Sequence, residues 1–484
     1  MKKINMKRIL LVALLFITKI LPVTAQMAKT TPPAWTRQVG ARVAPTATRI
    51  LYVNDQGARP DSNVNSTRAI QQTIDKCAKA GGGVVAFKPG YYMSGALFLR
   101  DNVELRLDAG VTLLGSQDFA DYPDTSTRIA GIEMVWPSAL INAIHVKKAA
   151  ITGKGLIDAR GKFCWDKYWT MRKDYDKKGL RWIVDYDAKR VRTLVIQSSE
   201  DVTVRDLTFR NAGFWTVQVL YSKHVTVAGV VIRNNEGGTG PSTDGVDIDS
   251  SSWCLVEDCD IDCNDDNFCL KAGRDWDGLR VNRPTEYVVI RRSIARRGAG
   301  LVTLGSETSG GIRHIYCSDL TAKHTDNGLR IKSGVTRGGV IDDIHFVDSK
   351  LDSVNNAYQF NLNWYPAYSY STLPAGYSME TVPAHWKTML QKVEPASKGI
   401  PKVGGITIRN VSITNAKKAF EIAGLDRSVI ADCNFINSRI TAETLGTMEF
   451  TARWNFVNTT IDVSQKKVEK KTAGGLADQE RLHQ

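Results

Sequence analysis

The chain has 484 residues, and its 64 Lys and Arg outnumber its 50 Asp and Glu for a formal charge of +14. That length exceeds what one compact core usually fills, which leaves several domains or an elongated stack whose repeats bury their apolar faces on one another. A basic balance suits an acidic polymer as partner.

At the N-terminus, Lys2, Lys3, Lys7 and Arg8 precede a short apolar run from Ile9 to Ile17, and Val23-Thr24-Ala25 supplies small residues before Gln26. The pattern predicts a cleaved signal peptide over 1–25 and a secreted or periplasmic protein. A membrane anchor is the alternative, but the run is short of the ~20 residues that a span needs, and Lys19 interrupts its continuation. No later segment reads as transmembrane, so no membrane association is expected. The first 25 residues hold five Lys and Arg and no acid, so a mature chain of 484 − 25 = 459 residues would carry 14 − 5 = +9. Export argues against nucleic acid as the partner of that charge.

Residues 26–49 are rich in Pro and Thr and read as a linker. A helix comes next, with Ser66 or Thr67 as cap, Ile70, Ile74 and Cys77 as an i, i+4, i+7 stripe, and Gly81 as terminator. A repeat stack exposes core at its ends, and this helix is the expected N-terminal cap. Short β-rich runs then recur between Gly, Asn and Asp. They include VELRL (103–107), DVTVRDLTF (201–209), HVTVAGVVI (224–232), WCLVEDCDI (253–261), YVVIRRSI (287–294) and HIYCSDL (314–320). Aligning them makes Val204, Val227, Val256, Ile290, Tyr316 and Phe346 equivalent, with loops of varied length between coils. No helix-length periodic segment separates the runs, which disfavours a βαβ fold. The tight two-residue hairpin turns of a sandwich are scarce. The expected architecture is all-β, a right-handed parallel β-helix over 50–462 as a single domain. A basic tail over 463–484 (Lys466, Lys467, Lys470, Lys471) completes the chain. Five of the eight cysteines fall between Cys254 and Cys317 without paired CxxC spacing. They read as small core residues rather than a zinc site, and no metal is expected.

The residues that carry chemistry cluster in STDGVDIDSSSWCLVEDCDIDCNDDNFCLKAG, then LGSETSGG, then LRIKSG. Glycoside hydrolysis generally needs two carboxyl groups, one to protonate the leaving oxygen and one to activate water or attack. In inverting enzymes they stand ~6.5–9.5 Å apart. Asp244 and Asp265 are 21 residues apart, close to one turn of a coil, and Asp266 adds a third acid. Crowded carboxylates cannot all ionise easily, so one is raised and becomes the acid. Turn formation is the bland alternative for a lone Asp pair. Arg330 and Lys332, two apart on a strand, face one way and can grip a carboxylate. Lys271 and Arg274 would bind a substrate carboxylate or pair with nearby acids. The aromatics between 356 and 395 (Tyr358, Phe360, Trp364, Tyr365, Tyr368, Tyr370, Tyr377 and Trp386), and Trp215 before the acids, would stack on sugar rings or pack on the coil.

The ordered set STDG, DD, GSE and RIK closely resembles the polygalacturonase family of glycoside hydrolases, whose motifs are usually written NTD, DD, GHG and RIK. The likeness covers residues 50–350 and weakens towards 460. It implies a right-handed parallel β-helix and inverting hydrolysis of pectic polysaccharide; no cofactor is expected, and a monomer is expected. By motif match Asp265 is the general acid, Asp244 and Asp266 position and activate water, and Arg330 and Lys332 bind the galacturonate carboxylate. Ser242 departs from the usual Asn. Gly305-Ser306-Glu307 replaces the histidine motif of endo-acting members, which points to exo action and leaves Glu307 as a substitute group near the acid. Rhamnogalacturonan hydrolysis or rhamnose release is the alternative on the same scaffold. A lyase or a non-catalytic binding coil ranks below both.

Overall fold

The computed structural model describes residues 29–464. The expected signal peptide and the tail from Lys466 onwards lie outside the described residues.

The β-rich runs wind into a right-handed parallel β-helix. One face is a 14-stranded sheet that begins with Ile50–Tyr52 and ends with Thr451–Val457. The other two faces meet in a 21-stranded sheet. One of them stacks Gly90–Ser94, Val111–Gly115, Leu156–Asp158 and Thr208–Arg210 in turn. The other stacks Ile141–Ile144, Leu194–Gln197, Val217–Leu220, Val246–Asp249, Asp266–Lys271, Gly300–Leu304, Asn327–Lys332 and Asn356–Asn361. All these pairings are parallel.

Period-two alternation explains the stack. In Glu200–Arg205, Val202 and Val204 point inward, and the register sets Val225 and Val227 on them. Val256, Ile290, Cys317 and Phe346 continue the inner row. Tyr316, expected in that row, is one residue out of register. Its partner is Val289, and the two pack with Val347 on the outside of the coil. A slip of one residue moves a side chain to the opposite face, and the run Ile315-Tyr316-Cys317 is apolar throughout, so alternation alone cannot place it. All eight cysteines are free and buried.

Left-handed residues recur just before the inner row, at Asp201, His224, Trp253, Tyr287 and His314. They stack from coil to coil, with ring centroids 4.2 Å apart for Trp253 and Tyr287 and 4.6 Å for Tyr287 and His314. The segment expected as a linker lies across this surface. Thr30 N donates to Asp348, Gly40 N to the Trp253 carbonyl, Arg42 N to Asp201 and Thr46 N to Asn102. Residues 30–46 thus strap several coils together.

The cap helix is Thr67–Lys79, and Ile70, Ile74 and Cys77 join the main core. Ser66 makes no side-chain cap bond; Asn65 Oδ1 instead accepts from Thr67 N at 3.0 Å. Three insertions rise over the face that carries the acids. The first is an antiparallel hairpin, Asp124–Ile129 with Ile132–Pro137. The second contains the helices Lys162–Lys177 and Val184–Asp187. The 16-residue helix is not evident in the sequence, because its charged outer side hides the short buried stripe of Cys164, Trp165 and Tyr168. The third comes after Asn361 and carries Pro366–Ser369 and Ala384–Met389. Their Trp136, Trp182, Trp386 and Met389 share a second apolar core with Phe214.

Candidate active site

Register places the acids. Val246 pairs with Phe268, an offset of 22, so Asp244 stands level with Asp266 rather than Asp265. Asp244, Asp265 and Asp266 each bring an oxygen to within 4.8 Å of the others. That closest approach is shorter than the ~6.5–9.5 Å gap expected between inverting carboxyls. Cations two strands further along the stack, and a hydroxyl on the strand between, hold Asp266. Lys332 Nζ lies 2.7 Å from Asp266 Oδ2, Arg330 3.3 Å from Asp266 Oδ1, and Thr303 Oγ1 donates to Oδ1 at 2.7 Å. Arg330 and Lys332 are therefore committed to the Asp266 carboxylate, and Arg330 Nε also donates to Gln359.

These surroundings divide the three acids. Burial pushes Asp266 up, but Lys332 and Arg330 outweigh it and hold the carboxyl well below the usual range. Burial raises Asp265, the Asp266 charge adds to it, and Lys332 only partly offsets this. Asp244 is pushed well above the usual range by burial first, then by Asp247 and Asp265. An ionised carboxylate beside a raised carboxyl is the pairing that acid–base hydrolysis uses.

The sequence motifs do not single out Asp247. It is fully buried and neither of its oxygens has a hydrogen-bond partner. One of its oxygens, one of Asp244's and Cys269 Sγ lie within 4.8 Å of one another. Burial raises Asp247 to about 7 against the pull of Lys271, with Asp266 and Asp249 adding their charge. Burial makes this carboxyl cheaper to keep protonated than ionised, even with Lys271 Nζ 3.5 Å from Oδ1. Its one signal in the sequence is the alternation in Val246-Asp247-Ile248-Asp249, which sends both aspartates outward beside Asp244.

Lys271 Nζ sits among Asp244 Oδ2 at 3.6 Å, Asp247 Oδ1 at 3.5 Å and Glu307 Oε2 at 3.4 Å. It is a counter-ion of Asp244, Asp247 and Glu307. Ser306 stands where the resemblance expects histidine, and Glu307 follows it as the expected substitute group. Glu307 accepts from Tyr368 OH and Ser306 Oγ, and Lys271, Lys332, Arg337 and Arg274 outweigh its burial and draw it down to about 2. It is thus an ionised anchor rather than an acid. Arg274 is fully buried and pairs with Asp275, so it holds Tyr186 OH and the Tyr368 carbonyl instead of facing a substrate.

Trp215 is buried, stacked on Phe214 at 4.7 Å, with Lys271 Nζ 5.1 Å from its ring centre. It packs and lines the pocket at once. Among the aromatics between 356 and 395, Tyr358 and Phe360 are coil core, Trp386 and Tyr377 pack on each other, and Trp364 and Tyr368 reach the pocket. The hairpin tip, Ala130-Gly131, closes the near side, and Arg181 and Asp185 come from the helical insertion. Ala130 and Arg181 carry no sequence signal, because nothing in the spacing ties residues so far ahead of Asp244 to it.

A parallel β-helix with clustered carboxyls in a walled pocket defines a polysaccharide-cleaving class of enzyme. Residues 98–429 match the model of glycosyl hydrolases family 28. A probable polygalacturonase of Vitis vinifera is 27% identical over 87% of this chain and 86% of its own. An exo-poly-alpha-D-galacturonosidase of Dickeya chrysanthemi is 27% identical over 63% of this chain and 56% of its own. The structure of a hyperthermoactive exopolygalacturonase from Thermotoga maritima superposes with a TM-score of 0.73 at 25% identity, covering 87% of this chain and 94% of that one. The chain belongs to glycosyl hydrolase family 28 and is a glycoside hydrolase.

Proposed function

We propose that this enzyme is a secreted, exo-acting polygalacturonase that removes α-linked galacturonate from the ends of pectic chains with inversion. The observation that carries the reading is the placement of the three acids in a pocket walled by three insertions, which suits a chain end better than the interior of a long polymer. The polygalacturonase relatives support the substrate class. Asp265 is the group suited to protonate the leaving oxygen, since it is raised yet not fully enclosed. Asp266 stays ionised and, with Asp244, holds the attacking water. Inversion rests on the family resemblance, because the short carboxyl separation would by itself favour retention.

A second reading is release of rhamnose, or cleavage within rhamnogalacturonan. It is favoured by the commitment of Arg330 and Lys332 to Asp266, which leaves them less free for a substrate carboxylate.

Products from galacturonan and from rhamnogalacturonan oligomers, separated by chromatography, decide between the readings. Early monomer or dimer with slow viscosity loss is expected from galacturonan. A ladder of mid-length oligomers would sink exo action, and release from rhamnogalacturonan alone would favour the second reading. Proton NMR of the first-formed anomer tests inversion. Secretion is tested by N-terminal sequencing of exported protein, which should begin at Gln26.

A further inference from the structure

The helical insertion brings a cation into the pocket that neither the motifs nor the mechanism uses. Arg181 lies beyond the helix Lys162–Lys177 and lines the same pocket as Ser242, Asp244 and Asp265. Its guanidinium lies over the Tyr368 and Tyr365 rings at 4.8 and 5.4 Å. One nitrogen, NH1, donates to Asp185 Oδ2 at 2.7 Å. Asp185 is shared, because its other oxygen takes Arg190 NH2 at 3.0 Å. Two guanidiniums against one carboxylate leave an excess of one positive charge at this wall.

The orientation of Arg181 matters as much as its charge. Its Nε is buried and has no hydrogen-bond partner. A buried donor on a charged group left unmade is costly, and structures fill such donors with an acceptor. The edge of the fork that carries Nε is the edge that grips a carboxylate in bidentate fashion. The other pocket cations are already engaged, Lys332 with Asp266 and Lys271 with Glu307, Asp244 and Asp247.

We propose that Arg181 is a specificity-determining residue that binds the carboxylate of the terminal uronate in the closed pocket, held in place by Asp185 and by the Tyr365 and Tyr368 rings. The assignment rests on the exo reading for which sugar enters the pocket. It explains why the helical insertion is present: it supplies a carboxylate reader on a wall of the pocket separate from Arg330 and Lys332. A bidentate charged pair contributes about ten- to a hundredfold in affinity.

The test is binding, so it does not depend on turnover. Galacturonate and galactose differ at the carboxylate, and their affinities for the full-length protein are read by calorimetry. The wild type should prefer galacturonate by about tenfold or more, and Arg181→Gln should erase that preference while leaving galactose affinity unchanged. Arg181→Lys keeps the charge beside Asp185 but loses the fork, and should keep only part of the preference. It provides the readout if Arg181→Gln does not fold. A wild type without preference overturns the proposal. So does a preference that survives either substitution in full, which would belong to Arg330 and Lys332. Product patterns judge the exo reading separately: internal cleavage with an intact Arg181-dependent preference would remove exo action and leave the carboxylate site standing.

Discussion

Asp265 and Asp266 are sequence neighbours shifted in opposite directions, and only their surroundings separate them. Asp266 meets Lys332, Arg330 and Thr303, whereas Asp265 Oδ1 meets the Asp266 backbone N–H at 3.0 Å. Asp265→Asn removes the proton donor, and kcat should fall by about 10²–10⁴-fold with the unfolding temperature little changed. Near wild-type turnover on every pectic substrate would refute the assignment. Asp247 offers a test through pH. Its raised carboxyl holds a proton that the unfolded chain has already released. Its contribution to stability is therefore full below about pH 4 and is lost as pH rises towards 7. Asp247→Asn should flatten that decline in a pH series of unfolding free energies. It should also move the kcat/KM limb that reports Asp244 ionisation to lower pH, because a like charge is gone. An unmoved limb would show that the two carboxyls titrate independently.

The elements that wall the pocket are held by buried polar contacts rather than by the coil's own ladder. Arg128 of the hairpin is fully buried and donates to Asp249 at 2.9 Å and to Ser250 at 2.7 Å. Arg192 ties Thr127 to Gln218. The hairpin tip then presses on the site. Gly131 has φ +87°, and a Cβ there would stand 2.5 Å from Arg274 Cβ and 2.7 Å from Glu307 Cγ. Gly131→Ala is strained on both counts and should destabilise by about 1–3 kcal/mol. Because Glu307 anchors Lys271, kcat/KM should fall as well. Thermal unfolding and steady-state kinetics check the pair of effects, and a variant unchanged in both would show that the tip is not seated against the acids.

At the scale of the molecule, stability is a sum over neighbouring coils. Ile290 lies in the inner row between Val256 and Cys317 and is 1% exposed. Ile290→Ala should cost about 2–5 kcal/mol. The loss should be local: amide exchange should accelerate in Ser252–Glu257 and Ile312–Ser318 before it changes in the N-terminal coils. Uniform acceleration throughout would show one cooperative unit instead. The strap of residues 30–46 crosses several coils, and cutting it should widen the difference between them.

The sequence by itself determined the repeat, the cap helix and the cluster of three aspartates. Alternating Val and Ile can be buried in only one way once coils stack, and the ordered acid motifs sit on those strands. It also carried Arg330, Lys332 and Glu307 into the site, though not their partners. Tertiary structure decided the rest. A tract apolar at every position, such as Ile315-Tyr316-Cys317, has no period to fix its register until the neighbouring strand does. Asp247 looks like its many turn-forming counterparts until stacking buries it beside Asp244. The hairpin, the helical insertion with Arg181 and the strap act through contacts between residues far apart in the chain. Spacing and propensity describe only neighbours, whereas the charge and shape of this pocket arise from segments that meet only when the coil is complete.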